Sequence, residues 1–361
     1  MTPWQRRFPL ALIACSLLAL VAITATKGTQ STQAPTGQAS TPPALASVPG
    51  LVPRIAIAYD VGGRGNAGVN ELAWEGVKRA AGEFDAEIKE ITAGRDDTDA
   101  DREERLAKLA EDHYYPIFAI GSAWAGPLEK VAAKYPGTWF GIVDDGTVNA
   151  PKVIGIQFNE EQGSFLVGAA AALTSKTGNV GFIGSIQSPL LEKFEAGFTA
   201  GARAADPDVQ VQVKYVLRPA ASAAASDPAN ARTAALGMYD AGADVIFGAD
   251  ADSGDEVIQA AHDRGLWAIG VDSDQYLMAD ASVRDAILTS MLKRADVATY
   301  MITMEVANGV AKDGNNVFGV GQDGVGYSTS GGFVEPIKAQ LDAFAARIAS
   351  GEILVPTKPR R

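Results

Sequence analysis

The sequence predicts an α/β protein made of two doubly wound domains, and three observations carry the prediction. From Arg54 onward, short apolar runs closed by Gly, Asp or Ser alternate with segments of helical periodicity, the alternation expected of βαβ units. The runs, such as Ile55-Ala56-Ile57-Ala58-Tyr59 and Val245-Ile246-Phe247-Gly248, are apolar on both faces, as strands buried between two helical layers must be. A long helical segment at about 161–175 divides the series into two similar halves. A single (β/α) barrel is the competing architecture, but its units repeat evenly and the spacing here does not. The chain has 361 residues, 47 % apolar and 20 % charged. Without a leader, about 310 residues remain, more than one core comfortably serves and enough for two.

The leader comes first. Arg6 and Arg7 precede an apolar run from Phe8 to about Ala25, and Lys27 follows it, the pattern of an export signal and also just long enough to span a bilayer as a helix. Leu12-Ile13-Ala14-Cys15 is spelled like a bacterial lipobox, which makes Cys15 the lipidation candidate, yet Ser16-Leu17-Leu18-Ala19-Leu20-Val21 continues the apolar run. Lipidation at Cys15, an uncleaved anchor and cleavage near Ala22–Ala25 are the three outcomes. All of them put the body on the extracytoplasmic face of the cell membrane. Residues 1–26 are therefore read as signal peptide or membrane anchor. Residues 27–50, rich in Thr, Gln, Ser, Pro, Ala and Gly, form a flexible linker without apolar periodicity to fold on.

In the body, Ile55–Tyr59 closes on Asp60-Val61-Gly62-Gly63, and Asn70 to Phe84 carries Leu72, Trp74, Val77, Ala80 and Ala81 at helical spacing. Ile117–Gly121 precedes a helix at 125–134, and Trp139–Val143 ends at Asp144-Asp145-Gly146. Val180–Gly184 precedes a helix at 189–205, and a strand from Val209 to Val216 precedes one at roughly 228–241. Val245–Gly248 precedes a helix at 253–264, and Trp267–Val271 ends at Asp272. In open parallel sheets, ligands bind outside the carboxyl ends of the strands. Here those ends repeat one kind of text: Gly121-Ser122-Ala123-Trp124, Gly184-Ser185-Ile186-Gln187, Gly248-Ala249-Asp250-Ala251-Asp252-Ser253-Gly254 and Asp272-Ser273-Asp274-Gln275. Singly, such turns are ordinary helix N-caps; together they converge on one cleft.

Several function classes are excluded. A net charge of −12 is the wrong sign for nucleic acid. One cysteine allows no intrachain disulfide, and His113 and His262 stand apart without a ligand-spacing pattern. Asp252, Asp255 and Glu256 do not follow the EF-hand spacing, and Gly62-Gly63 lacks the spacing and lysine of a P-loop. No metal, no cofactor and no catalytic constellation are expected.

Six ordered motifs resemble the basic membrane protein (BMP) family, the PnrA-like purine-nucleoside-binding lipoproteins of ABC importers. They are Asp60-Val61-Gly62-Gly63 with Asn70 and Trp74-Glu75-Gly76; Phe158-Asn159-Glu160-Glu161-Gln162-Gly163-Ser164-Phe165-Leu166-Val167-Gly168 with Ala171–Gly178; Gly242–Phe247; Gly270–Gln275; Leu288–Lys293; and Gly324-Val325-Gly326. The resemblance implies two Rossmann-like lobes with a hinge, the type I periplasmic-binding-protein fold. Lobe 1 is then residues 54–156 plus about 285–316, and lobe 2 residues 157–284 plus about 317–355. It further implies that Asp60 meets a nucleobase edge and that Asp272 and Lys293 meet ribose hydroxyls, with ABC permease and ATPase subunits as partners. A carboxylate accepts two hydrogen bonds from a diol and an ammonium donates to hydroxyl oxygens, which suits those roles. The first loop departs from the family pattern. It reads Gly65-Asn66-Ala67-Gly68-Val69-Asn70, with Val69 where a base-stacking Phe is expected; Trp124 is the candidate substitute ring. The expected ligand site is thus Asp60, Asn66, Val69, Asn70, Trp124, Asp272 and Lys293. A membrane-anchored sensor with the same fold and a nucleoside-processing enzyme are the alternatives.

Overall fold

The computed structural model describes residues 53–65, 68–217 and 228–360; the leader, the linker, Cys15 and Asn66 lie outside them. In the first lobe, β1 (Arg54–Tyr59), α1 (Val69–Phe84), β2 (Glu87–Thr92), α2 (Asp99–Glu111), β3 (Ile117–Ile120), α3 (Ala125–Lys134), β4 (Phe140–Val143) and β5 (Val153–Phe158) follow one another. The chain then enters the second lobe: α4 (Glu160–Thr174), β6 (Asn179–Gly184), α5 (Pro189–Ala205), β7 (Gln210–Tyr215), α6 (Pro228–Asp240), β8 (Val245–Gly248), α7 (Ala251–Arg264), β9 (Trp267–Asp272), α8 (Gln275–Met278) and β10 (Ile287–Lys293). It returns for α9 (Ala295–Ala307) and β11 (Gly314–Phe318), and crosses back for β12 (Val325–Tyr327) and α10 (Lys338–Ala349). Among the described residues no helix is long and apolar enough to cross a membrane.

Local chemistry sets many of these boundaries. Thr98 and Asp101 exchange a reciprocal capping box at the start of α2, satisfying donors that a helix N-terminus leaves free. Ser188 caps α5 and Pro189 supplies its first turn, where a missing N–H costs nothing. β1, β3 and β4 are almost wholly buried, whereas β2, Glu-Ile-Lys-Glu-Ile-Thr, is an edge strand exposed except at the half-buried Ile88 and Ile91.

The two sheets share one order. The first is β11-β5-β4-β3-β1-β2 and the second β12-β10-β9-β8-β6-β7; all pairings are parallel except β12 against β10. β4 thus corresponds to β9, β5 to β10, and the β1/β3 neighbours to β6/β8. Three segments cross between lobes: Asn159, Arg294 and residues 319–324. The sequence-based boundaries shift accordingly. The switch expected near 285 lies at Arg294, because β10 pairs along β9 in the second sheet, and β5 and β11 keep the first lobe until Phe158 and Phe318.

Helices pack closely where glycine permits. A Cβ at Gly168, Gly197 or Gly201 would collide with the backbone carbonyls of Phe198, Glu161 and Phe165, so α4 and α5 are in backbone contact. Gly76 lets α1 approach α9 in the same way, and the Thr299 hydroxyl donates to the Ala73 carbonyl at 3.0 Å. Gly197→Ala is therefore expected to lower unfolding free energy by about 1–3 kcal/mol through overpacking. A denaturant midpoint equal to wild type would show that the two helices have room to part.

Candidate functional site

Each sheet reverses its direction of growth at one place, and a crevice opens there at the carboxyl ends of the strands. In the first lobe that place is between β1 and β3. Asp60 follows β1 and Gly121 follows β3, close enough that a Cβ at Gly121 would stand 3.3 Å from Asp60 Oδ2. Asp60 Oδ1 accepts from the Val61 N–H at 2.8 Å and lies 3.8 Å from Nη2 of Arg102. Asn70 is buried; its Nδ2 donates to the Gly63 carbonyl at 2.8 Å and pins the loop after β1, while its Oδ1 has no partner. Val69, the first residue of α1, is half-buried and packs against the core.

Asp144 and Asp272 end corresponding strands, β4 and β9, and both hold left-handed backbone, φ 63° and 64°. Non-glycine residues adopt this region uncommonly, and it concentrates at sites where side chains must be aimed. Asp272 ends the strand beside Leu292, so Lys293 stands one position farther on the neighbouring strand. Lys293 is 3 % exposed. Its Nζ is 2.7 Å from Asp144 Oδ1, across the lobe boundary, and 3.3 Å from Glu160 Oε1. Glu160 is itself buried and pairs through Oε2 with Lys193 Nζ at 3.0 Å.

Burial sets the protonation of this cluster. Desolvation works against the Lys293 ammonium, but Asp144, Glu160 and Asp272 outweigh it and hold the group protonated above the usual lysine range. Desolvation raises Asp144, with Lys293 opposing it and Glu160 adding to it. Asp272 is pushed up to about 6, chiefly by desolvation, with Lys293 lowering it and Asp144, Asp250 and Glu160 raising it. A diol or N–H donor reaching Asp272 would replace the lost hydration and favour its charged form.

The structure brings Asp272 and Lys293 to adjacent strand ends, sets Asp144 on the Lys293 ammonium, and places Asp60, Val69 and Asn70 at the first lobe's crevice. Trp124 lies behind Arg102, whose guanidinium is 5.8 Å from its ring. It is fully buried in the cluster of Leu106, Leu128 and Phe140 between sheet and helices, because the 3-10 turn at Ser122–Trp124 folds the ring back under α3. It offers no surface to the cleft. Sequence reading did not single out Asp144, Glu160, Lys193 or Arg102 as site residues. Asp144 had a signal in its Asp-Asp-Gly turn; Lys193, within an ordinary amphipathic helix, had none. Between the lobes lies a cavity of about 760 Å³, lined by Gly65 and Glu71 on one side and by Asp255, Gln259, Gln275 and Met278 on the other.

Two α/β lobes, three crossings and a polar cleft with a buried ammonium define a two-lobed solute-binding protein. The family of PnrA-like ABC transporter substrate-binding proteins matches residues 54–358, and the chain belongs to it. It is 32 % identical over 324 residues to the CD4+ T-cell-stimulating antigen of Listeria monocytogenes, covering 84 % of this chain and 88 % of that one. It is 27 % identical to the ABC transporter nucleoside-binding protein BmpA of Lactococcus lactis, over 84 % of this chain and 89 % of the relative. A solute-binding protein of an ABC transporter system from Aeropyrum pernix superposes with a TM-score of 0.68 at 26 % identity, covering 85 % of this chain and 94 % of that one. The family is one of substrate-binding proteins rather than of enzymes.

Two outcomes are expected. Lys293→Met leaves three carboxylates around an uncharged stem and is expected to cost about 3–5 kcal/mol at neutral pH; a smaller loss in chemical denaturation would mean that water already compensates the cluster. Asp272 takes its proton near pH 6 when folded and near 4 when unfolded. Between those values the folded state binds more proton, so its contribution to stability grows as pH falls. Wild type is expected to gain about 1–2 kcal/mol relative to Asp272→Asn between pH 7 and 4.5, and parallel pH–stability curves would contradict this.

Proposed function

We propose that the protein captures a nucleoside-like polar solute between its lobes and delivers it to the permease and ATPase subunits of an ABC importer, performing no chemistry on it. It works at the extracytoplasmic face of the membrane, held there by its N-terminal segment. The observation that carries the ligand reading is the placing of Asp272 and Lys293 on adjacent strand ends, with Asp144 of the other lobe on the same ammonium. Such a set accepts from a vicinal diol and donates to its oxygens at one point. It also places ligand contacts where the lobes meet, so that closure about Asn159, Arg294 and residues 319–324 buries what is bound, as hinge-closing receptors do. The Lactococcus relative is named a nucleoside-binding protein, which agrees in kind.

The test is thermal unfolding of the full chain with adenosine, inosine, guanosine and uridine. A ligand at 100 times its Kd stabilises the folded state by about 2.7 kcal/mol, an easily read rise in Tm. Asp272→Ala is expected to abolish the rise while leaving an unliganded transition. A Tm unmoved by every nucleoside, or a full rise in the Ala variant, would remove respectively the ligand class or the residue.

A further inference from the structure

The second lobe holds another cavity, of about 500 Å³, between α5, the edge strand β7 and the segment that follows α10. No residue lines both it and the interlobe cavity. Its volume falls within the range of about 300–1,000 Å³ usual for small-molecule sites. The segment after α10 is fastened down because Ile353 and Val355 pack against the cluster of Phe165, Leu166 and Ile348. Leu354, between them, alternates to the other side as in any extended chain. It is left 86 % exposed and lines the cavity.

The lining is of two kinds. Apolar surface comes from Phe165, Ala200, Val211, Val213 and Leu354, of which Val213 and Leu354 are exposed. Charge comes from Arg203, in the last turn of α5, and from Lys358 and Arg360 beyond α10. None of these three cations has an ion-pair or hydrogen-bond partner among the described residues. The one carboxylate of the lining, Glu195, already accepts from the Tyr215 hydroxyl at 2.6 Å. Three cations around one carboxylate reverse the local sign in a chain of net charge −12, and a negative ligand is what complements them. An inorganic anion would leave Val213 and Leu354 in water, and a neutral apolar molecule would leave the cations without counter-charge.

We propose that this pocket is a second binding site, apart from the cleft, for a small amphiphilic anion: a carboxylate, sulfate or phosphate carried on an apolar chain. The chain lies on Phe165, Val213 and Leu354 and takes their surface out of water. The head accepts charge-assisted hydrogen bonds from Arg203, Lys358 and Arg360.

Calorimetric titration of the full chain with octanoate, 1-octanol and acetate, each below its aggregation concentration, tests both halves of this recognition. Octanoate is expected to bind, and to bind more weakly as salt rises. The uncharged head of 1-octanol is expected to weaken binding about 5- to 10-fold. Acetate, six methylenes shorter, is expected to bind at least about 100-fold more weakly. Arg203→Ser combined with Lys358→Ser is expected to weaken octanoate about 5- to 10-fold, and Leu354→Asp to abolish its binding. All three positions are exposed, so both variants are expected to unfold at the wild-type midpoint. Acetate or 1-octanol equal to octanoate, octanoate binding that neither variant changes, or no octanoate binding would each overturn the proposal. If octanoate does not bind while vesicles of phosphatidylglycerol, and not of phosphatidylcholine, sediment the wild type more than the double variant, the patch is a membrane contact and the proposal is overturned as well.

Discussion

An ammonium removed from water must be surrounded by negative charge or lose its proton, and Lys293 shows what that demand organises. Its Nζ draws in Asp144 from the first lobe and Glu160 from the start of α4, while Asp272 lies within reach of its field. Taken singly, each carboxylate here would be costly to bury. Together they make a cluster whose members hold one another in position, and Lys193 closes the far side of Glu160. Because Asp144 and Lys293 belong to different lobes, the cluster is also a joint between them.

The geometry that permits this comes from repetition. Both sheets have the same strand order, so equivalent strand ends face one another across the boundary and bring Asp144 and Asp272 to one place. Both aspartates occupy left-handed backbone, a conformation that shortens the path from strand to loop and aims a side chain at the crevice. Rigid surroundings hold it. The glycine-mediated contacts hold α4 against α5 in one lobe and α1 against α9 in the other.

Desolvation is the main reason that the Asp272 carboxyl is pushed up to about 6, with Lys293 opposing the rise and Asp144, Asp250 and Glu160 adding to it. Hydrogen-bond donors brought to Asp272 would offset part of that desolvation and favour its charged form.

Much of this was legible in the chain before folding. Apolar runs buried on both faces, Ile55–Tyr59 or Val245–Gly248, require parallel sheets between helices. Ser188-Pro189 and Thr98–Asp101 mark helix starts, and the aspartates at strand ends mark the cleft side. These are local or periodic constraints, each decided within a few residues. What folding alone decided depends on neighbours distant in sequence. β10 could belong to either lobe until its hydrogen bonds to β9 were made, and the weakly apolar edge strand β2 acquires its identity from β1. Trp124 lies just past a strand end, yet a single 3-10 turn sends its ring into the core rather than the cleft. Asp144 and Lys293 are far apart along the chain, and their pairing follows from strand order, which no spacing rule encodes. The sequence by itself determined the layers, the direction of the cleft and the candidate carboxylates; the tertiary structure decided which charges meet, because a buried charge is satisfied through space and not along the chain.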